Sequence, residues 1–134
     1  MTQYIFSYLA TAIIFAAIDL VWLGFIAKQF YFNRMGDLVS FNMPAAVVFY
    51  LVYVAGIVFF AVSPAFQVEE NVWKIVLFMG CMFGFFCYAT YDLTNLAVIK
   101  DWSLSLSIVD IMWGTFLTGS SVTLAYLVTR YFIA

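Results

Sequence analysis

The chain contains no histidine. That removes the commonest transition-metal ligand and the commonest general base. Charge is scarce too: 9% of the 134 residues are charged, where a soluble domain carries roughly 25%. The few charges sum to −2 and form no basic patch, so the sequence offers nothing for nucleic acid to bind. Cysteine is limited to Cys81 and Cys87, about 9 Å apart along one helix and on different faces, which argues against an internal disulfide. Both read as small apolar packing residues. A Walker-type phosphate loop, a His-based metal motif and a hydrolase elbow are all missing.

What is present is apolar surface. Hydrophobic residues make up 67% of the chain and aromatics 22%, with a mean hydropathy of +1.08. This places the protein in the membrane class. Four spans are predicted, at about 4–27, 44–66, 72–98 and 103–131, each of a length that crosses a bilayer. They form one transmembrane domain, an all-α antiparallel four-helix bundle. The first run is too long for a signal h-region and lacks a basic n-region, so it reads as an uncleaved span.

The connections are short. Lys28 to Phe41 is the longest polar one, with Tyr31 and Phe32 reading as interfacial. Asn42-Met-Pro44 predicts a capped helix start, and Pro64 a helix end. Glu69 and Glu70 mark a solvated turn, and Lys100-Asp101-Trp102 a tight connection. An even span number puts both termini on one side. Lys28, Arg34 and Lys100 oppose Lys74 and Arg130, and that three-to-two bias leans toward termini outside.

All five basic residues sit in loops or at helix ends, but Asp19, Asp92 and Asp110 lie inside spans. Asp19 is nine residues before Lys28, Asp92 eight before Lys100, and Asp110 nine after Asp101. At about 1.5 Å per residue, each lies about 12–14 Å from the same membrane edge. Three helices therefore deliver a carboxyl to one layer. Tyr88, Asp92 and Asn95, at i, i+4 and i+7, share one face of the third span. Trp22, Tyr50, Tyr53, Tyr91 and Trp113 fall near the same depth. Gly80-x-x-x-Gly84, and a stripe of small residues through Gly114, would let helices pack closely around it.

Ala16-x-x-Asp19-Leu20-x-x-Leu23-Gly24 recurs as Ala89-x-x-Asp92-Leu93-x-x-Leu96-Ala97, with a small residue at the last position of each. The match has the form of a duplicated helical hairpin, although so apolar a chain also produces five-position matches by chance.

Intramembrane acids are costly and mark function by default. Three together can hold protons, share hydrogen bonds with neighbouring donors, or bind a cation. A hard-cation site of Asp19, Asp92 and Asp110 with the Asn95 carbonyl is chemically conceivable, but the spacing matches no metal motif. No cofactor is implied. Three functions fit this layer. The first is a proton- or cation-coupled transporter or binder of a small cation; four spans are few for a complete pathway, which would require a homodimer. The second is an intramembrane enzyme acting on a lipid or isoprenoid by aspartate acid–base chemistry. The third is a non-catalytic partner subunit whose acids specify helix pairing.

Ile18-Asp-x-x-Trp-Leu-Gly24, Phe49-Tyr-Leu-x-Tyr-x-x-Gly56, Tyr88-x-Thr-Tyr-Asp-Leu-Thr-Asn-Leu-Ala97 and Asp110-x-x-Trp-Gly-Thr115 carry a resemblance over nearly the whole chain. The chain resembles a family of small bacterial inner-membrane proteins defined by a domain of unknown function. The Tyr-Asp-Leu-Thr-Asn string is the most specific part. The resemblance implies a four-span bacterial inner-membrane protein and assigns no activity, cofactor or catalytic residue.

Overall fold

The computed structural model describes residues 1–133. Five α-helices carry the chain: α1 (Thr2–Val21), α2 (Lys28–Met35), α3 (Met43–Ile57), α4 (Val72–Val98) and α5 (Leu104–Ile133). Wider π turns extend α1 through Trp22–Ile26 and α3 through Val58–Val62, and a 3₁₀ segment continues the second span to Gln67. Four helical stretches are thus long and apolar enough to cross a membrane: Thr2–Ile26, Met43–Gln67, Val72–Val98 and Leu104–Ile133. Only 17% to 44% of each apolar window is buried inside the protein. Most apolar side chains face outward, the arrangement that lipid rather than water requires.

The central element is α5. It packs along α4 over most of its length and along α1 on another side, while α3 lies against α1. The α4–α5 seam is close because glycines line it. A Cβ on Gly84 would collide with the Gly114 carbonyl and the Thr118 side chain, and one on Gly80 with the Val122 side chain. Cys81 sits with its sulfur against Gly119, so this thiol fills a gap between backbones. By contrast, α4 meets the second span mainly at Val58–Gln67 rather than along α3. The two helices therefore diverge toward the α2 end, and that divergence leaves room for a cavity.

The predicted cap at α3 is formed: the Asn42 side-chain oxygen accepts from the Ala45 amide at 3.1 Å. Asn71 and Asp101, both at positive φ (53° and 60°), make the two tight corners that bound α4. Asn and Asp tolerate this left-handed geometry better than other side chains.

Two local features refine the reading of the connections. Pro64 lies in the 3₁₀ segment just after a π turn, and the second span ends shortly beyond it, at Gln67. Lacking an N–H and clashing one turn back, proline changes the hydrogen-bond register and the helix continues in another form. The first half of the polar Lys28–Phe41 connection is the helix α2. Arg34 Nε donates to Ser105 Oγ at 2.9 Å and its guanidinium covers the Phe30 ring at 3.7 Å. These contacts fold the segment back across the start of α5 until Gly36, at φ 54°, turns the chain away.

Candidate functional site: an acidic, aromatic cavity

A cavity of about 500 Å³ occupies the space where α3 and α4 diverge. Asp19, Asp92 and Asp110 all line it, together with Tyr50, Tyr53, Tyr88, Tyr91 and Trp113. The three carboxyls have different surroundings.

Asp19, on α1, is fully engaged. One oxygen accepts from the Tyr50 hydroxyl at 2.5 Å and the other from Trp113 Nε1 at 3.2 Å. Two donors from two other spans thereby fix this side chain, a structural use of a buried acid. Asp110, on α5, accepts from the Tyr31 hydroxyl at 2.7 Å. Asp92, on α4, is 0% exposed, and no donor reaches either of its oxygens among the described residues. The Asp110 carboxyl lines the same cavity. A carboxyl buried without a donor is costly unless it meets a donor or a cation.

Aromatic rings connect the two acidic centres. The Trp22 and Trp113 rings stack at 4.3 Å, nearly parallel at 10°. Trp22 Nε1 donates to the Tyr31 oxygen at 3.4 Å, and the Tyr31 hydroxyl in turn donates a hydrogen bond to Asp110. A series of contacts, with the tryptophan stack at its middle, thus runs from Tyr50 and Asp19 through Trp113, Trp22 and Tyr31 to Asp110. On the remaining wall, the Tyr88 ring lies on the Gly114 backbone, where any Cβ would strike it, and stands edge-on to Tyr53. Gly114 therefore does more than bring helices together: it leaves the space that turns Tyr88 into the cavity.

The structure departs from the sequence-derived site in several places. Asn95 is half-buried and does not line the cavity. It shares a face with Tyr88 and Asp92 but sits about 4.5 Å further along the axis, toward the connection that brings Trp102 into the lining, and its backbone carbonyl accepts from the Ile99 amide. Trp22 supports the wall from behind through Trp113 and is not itself a lining residue. Among the described residues no group of three His, Cys, Asp or Glu side chains is placed to hold a metal ion; the Asp19 oxygens meet Tyr50 and Trp113.

Tyr31 was read as interfacial and instead joins the site. Burial pushes its hydroxyl above the ordinary tyrosine range, and the neighbouring Asp110 charge adds to the effect. Nothing in the polar context of Lys28–Phe41 signals this inward turn, which depends on α2 docking onto α5. Phe49 and Trp102 are further wall residues, as is Cys87, which was read as packing alone.

No curated protein and no solved structure matches the chain. The four helices of spanning length accord with a family match over residues 4–127, and by that match the chain belongs to the family described as "Predicted membrane protein (DUF2177)", whose function is unknown.

Proposed function

We propose that the protein binds, and with proton or cation coupling transports, a small lipid-soluble organic cation such as an amine. The observation that carries this reading is Asp92: a fully buried carboxyl, both oxygens without a donor, in one aromatic cavity with Asp110. An ammonium group supplies both things Asp92 lacks, N–H donors and a positive charge. The faces of Tyr53, Tyr88 and Trp113 favour the same ligand through cation–π attraction. Asp19 and its two donors hold the wall, and Asp110 shares the charge. A volume of about 500 Å³ falls within the range of small-molecule sites.

Four spans leave transport dependent on a second copy, so this reading carries a homodimer with it. We further infer a bacterial inner-membrane location with both termini outside; the resemblance supports the first and the balance of basic residues the second.

The test is thermal stability in detergent across a panel of primary, quaternary and aromatic amines, with Mg²⁺ and Ca²⁺ as controls. A ligand at 100 times its dissociation constant stabilises the folded state by about 2.7 kcal/mol. Stabilisation by amines in the wild type and none in Asp92→Asn is expected. Equal stabilisation of both proteins would remove Asp92 from the site.

One observation favours a second reading. The α3–α4 divergence leaves Phe49 and Tyr91, both lining residues, 43% and 52% exposed on the membrane-facing surface. A ligand can therefore enter sideways from the bilayer. A lipid or isoprenoid would do so, and the Asp92–Asp110 pair could then serve as acid and base toward it. A lipid that copurifies, and is chemically altered by the wild type but not by Asp92→Asn, would favour the enzyme.

A further inference from the structure

Two hollows meet at α3. The acidic cavity lies on its inner side, and a groove of about 650 Å³ runs along its outer side past Ala45, Val48 and Val52. Phe49 and Tyr53 line both. We propose that cavity and groove form one site for a membrane-resident amphiphile, a long-chain amine whose ammonium meets Asp92 and whose hydrocarbon chain lies along α3. This rests on the reading of Asp92 as an ammonium site and adds the chain to it.

The groove follows from how α3 is packed. Toward the terminal end of the bundle, Phe83 of α4 fills the space against the second span. A Cβ on Gly56 would stand 2.8 Å from the Phe83 ring, and that ring stacks on Phe60 at 5.4 Å and meets Tyr53 at 5.4 Å. Beyond Tyr53, toward the α2 end, α3 no longer packs along α4. Ala45, Val48 and Val52, at i, i+3 and i+7, fall on one stripe of α3. Val48 and Val52 are exposed, and their short side chains leave a channel beside the larger Phe49. From Asn42 to Tyr53 the groove follows about 16 Å of helix, close to half the hydrocarbon thickness of a bilayer. That is the depth of one leaflet and the reach of one lipid chain.

The two rings between the hollows are held differently. Tyr53 is buried, and its hydroxyl meets Thr118 Oγ1 at 2.8 Å. Phe49 is half-exposed and is held by ring contacts, with Tyr50 and Tyr53 each at 5.3 Å. A chain leaving the cavity therefore passes at Phe49. On the inner side is Asp92, fully buried with neither oxygen bonded. A small amine satisfies that carboxyl and leaves the groove unused. A neutral lipid fills the groove and leaves the carboxyl bare. An amphiphilic amine does both: its chain stays among lipid tails, which are as apolar as the groove, and its head supplies the missing donors and charge.

The test places the full chain in phosphatidylcholine nanodiscs with a long-chain primary amine that carries a photoreactive diazirine at mid-chain. The same chain ending in an alcohol is the control, and adducts are mapped by mass spectrometry. In the wild type the amine is expected to label Val48 and Val52 about tenfold or more above the alcohol, the weight of one hydrogen bond to a charged group. In Asp92→Asn that excess should vanish. Val48→Trp with Val52→Trp fills the groove from a lipid-facing surface. It should abolish stabilisation by the long amine while butylamine still stabilises the protein. Equal labelling by amine and alcohol, with butylamine still acting through Asp92, would overturn the chain site and leave the proposed function standing. So would undiminished stabilisation by the long amine in the tryptophan variant. If neither amine, short or long, acts through Asp92, the proposed function fails and this site fails with it.

Discussion

Replacing Asp19 and Asp92 by asparagine, one at a time, should shift stability in opposite directions. Asp19 presents two acceptors to two donors, Tyr50 at 2.5 Å and Trp113 at 3.2 Å. Asparagine keeps one acceptor and turns the other into a donor, so one of those donors loses its partner. A buried donor left unsatisfied costs about 1–3 kcal/mol. Asp92 has no donor to lose. Its amide counterpart removes one unsatisfied acceptor and offers an N–H to Asp110, a neutral bond worth about 0.5–1.5 kcal/mol. The two variants should therefore differ by about 3 kcal/mol, with Asp92→Asn at or above the wild type in the absence of ligand. The assay is reversible unfolding by denaturing detergent in mixed micelles at one pH. The reasoning is refuted if Asp92→Asn loses as much as Asp19→Asn: Asp92 would then have a partner, and the site would lose the feature that marks it as a place for ligand. A stable yet inactive Asp92→Asn is the pattern expected of a group kept for function at a cost in stability.

Three further outcomes follow from the geometry. Gly84→Ala should destabilise, because the new methyl meets the Gly114 backbone and overpacking of about 1–3 kcal/mol exceeds the helix-propensity gain of up to about 1 kcal/mol. Gly24→Ala, with nothing within 4 Å, should be neutral or slightly stabilising, and equal losses in both unfolding curves would contradict the account of the seam. Asn42→Ala removes the 3.1 Å cap of α3 and should cost about 1 kcal/mol in the same assay; no change would mean the cap is not maintained. Alkaline pH provides the last test. The Tyr31 hydroxyl, raised in the folded protein by burial and then by Asp110, holds its proton more tightly there than in the unfolded chain. Its contribution is complete below the ordinary tyrosine value of about 10 and declines as pH rises beyond it, by up to about 1.4 kcal/mol per pH unit. Tyr31→Phe should flatten that decline, and an unchanged pH profile would mean that Tyr31 is not buried against Asp110.

Much of the fold is legible in the residues because a membrane helix satisfies its own backbone and needs only length and apolar side chains to declare itself. The spans near 44–66 and 72–98 lie within a residue of the observed helices, and the Asn42 cap is local chemistry that neighbouring residues decide. The shared depth of Asp19, Asp92 and Asp110 is likewise a consequence of helix rise measured from the loops, and all three line one cavity.

What spacing could not convey was orientation and occupancy. Periodicity put Asn95 on the face of Tyr88 and Asp92, but whether the cavity reaches that far depends on Trp102, which arrives from the next connection. Tyr31 and Arg34 sit in a stretch that reads as polar loop, and only the docking of α2 on α5 turns one toward Asp110 and the other toward Ser105. Composition and spacing determined that four apolar spans carry three carboxyls at one level. Tertiary packing alone decided that Asp19 is held by donors while Asp92 is left bare, because hydrogen-bond partners come from other helices and a sequence does not record which faces meet.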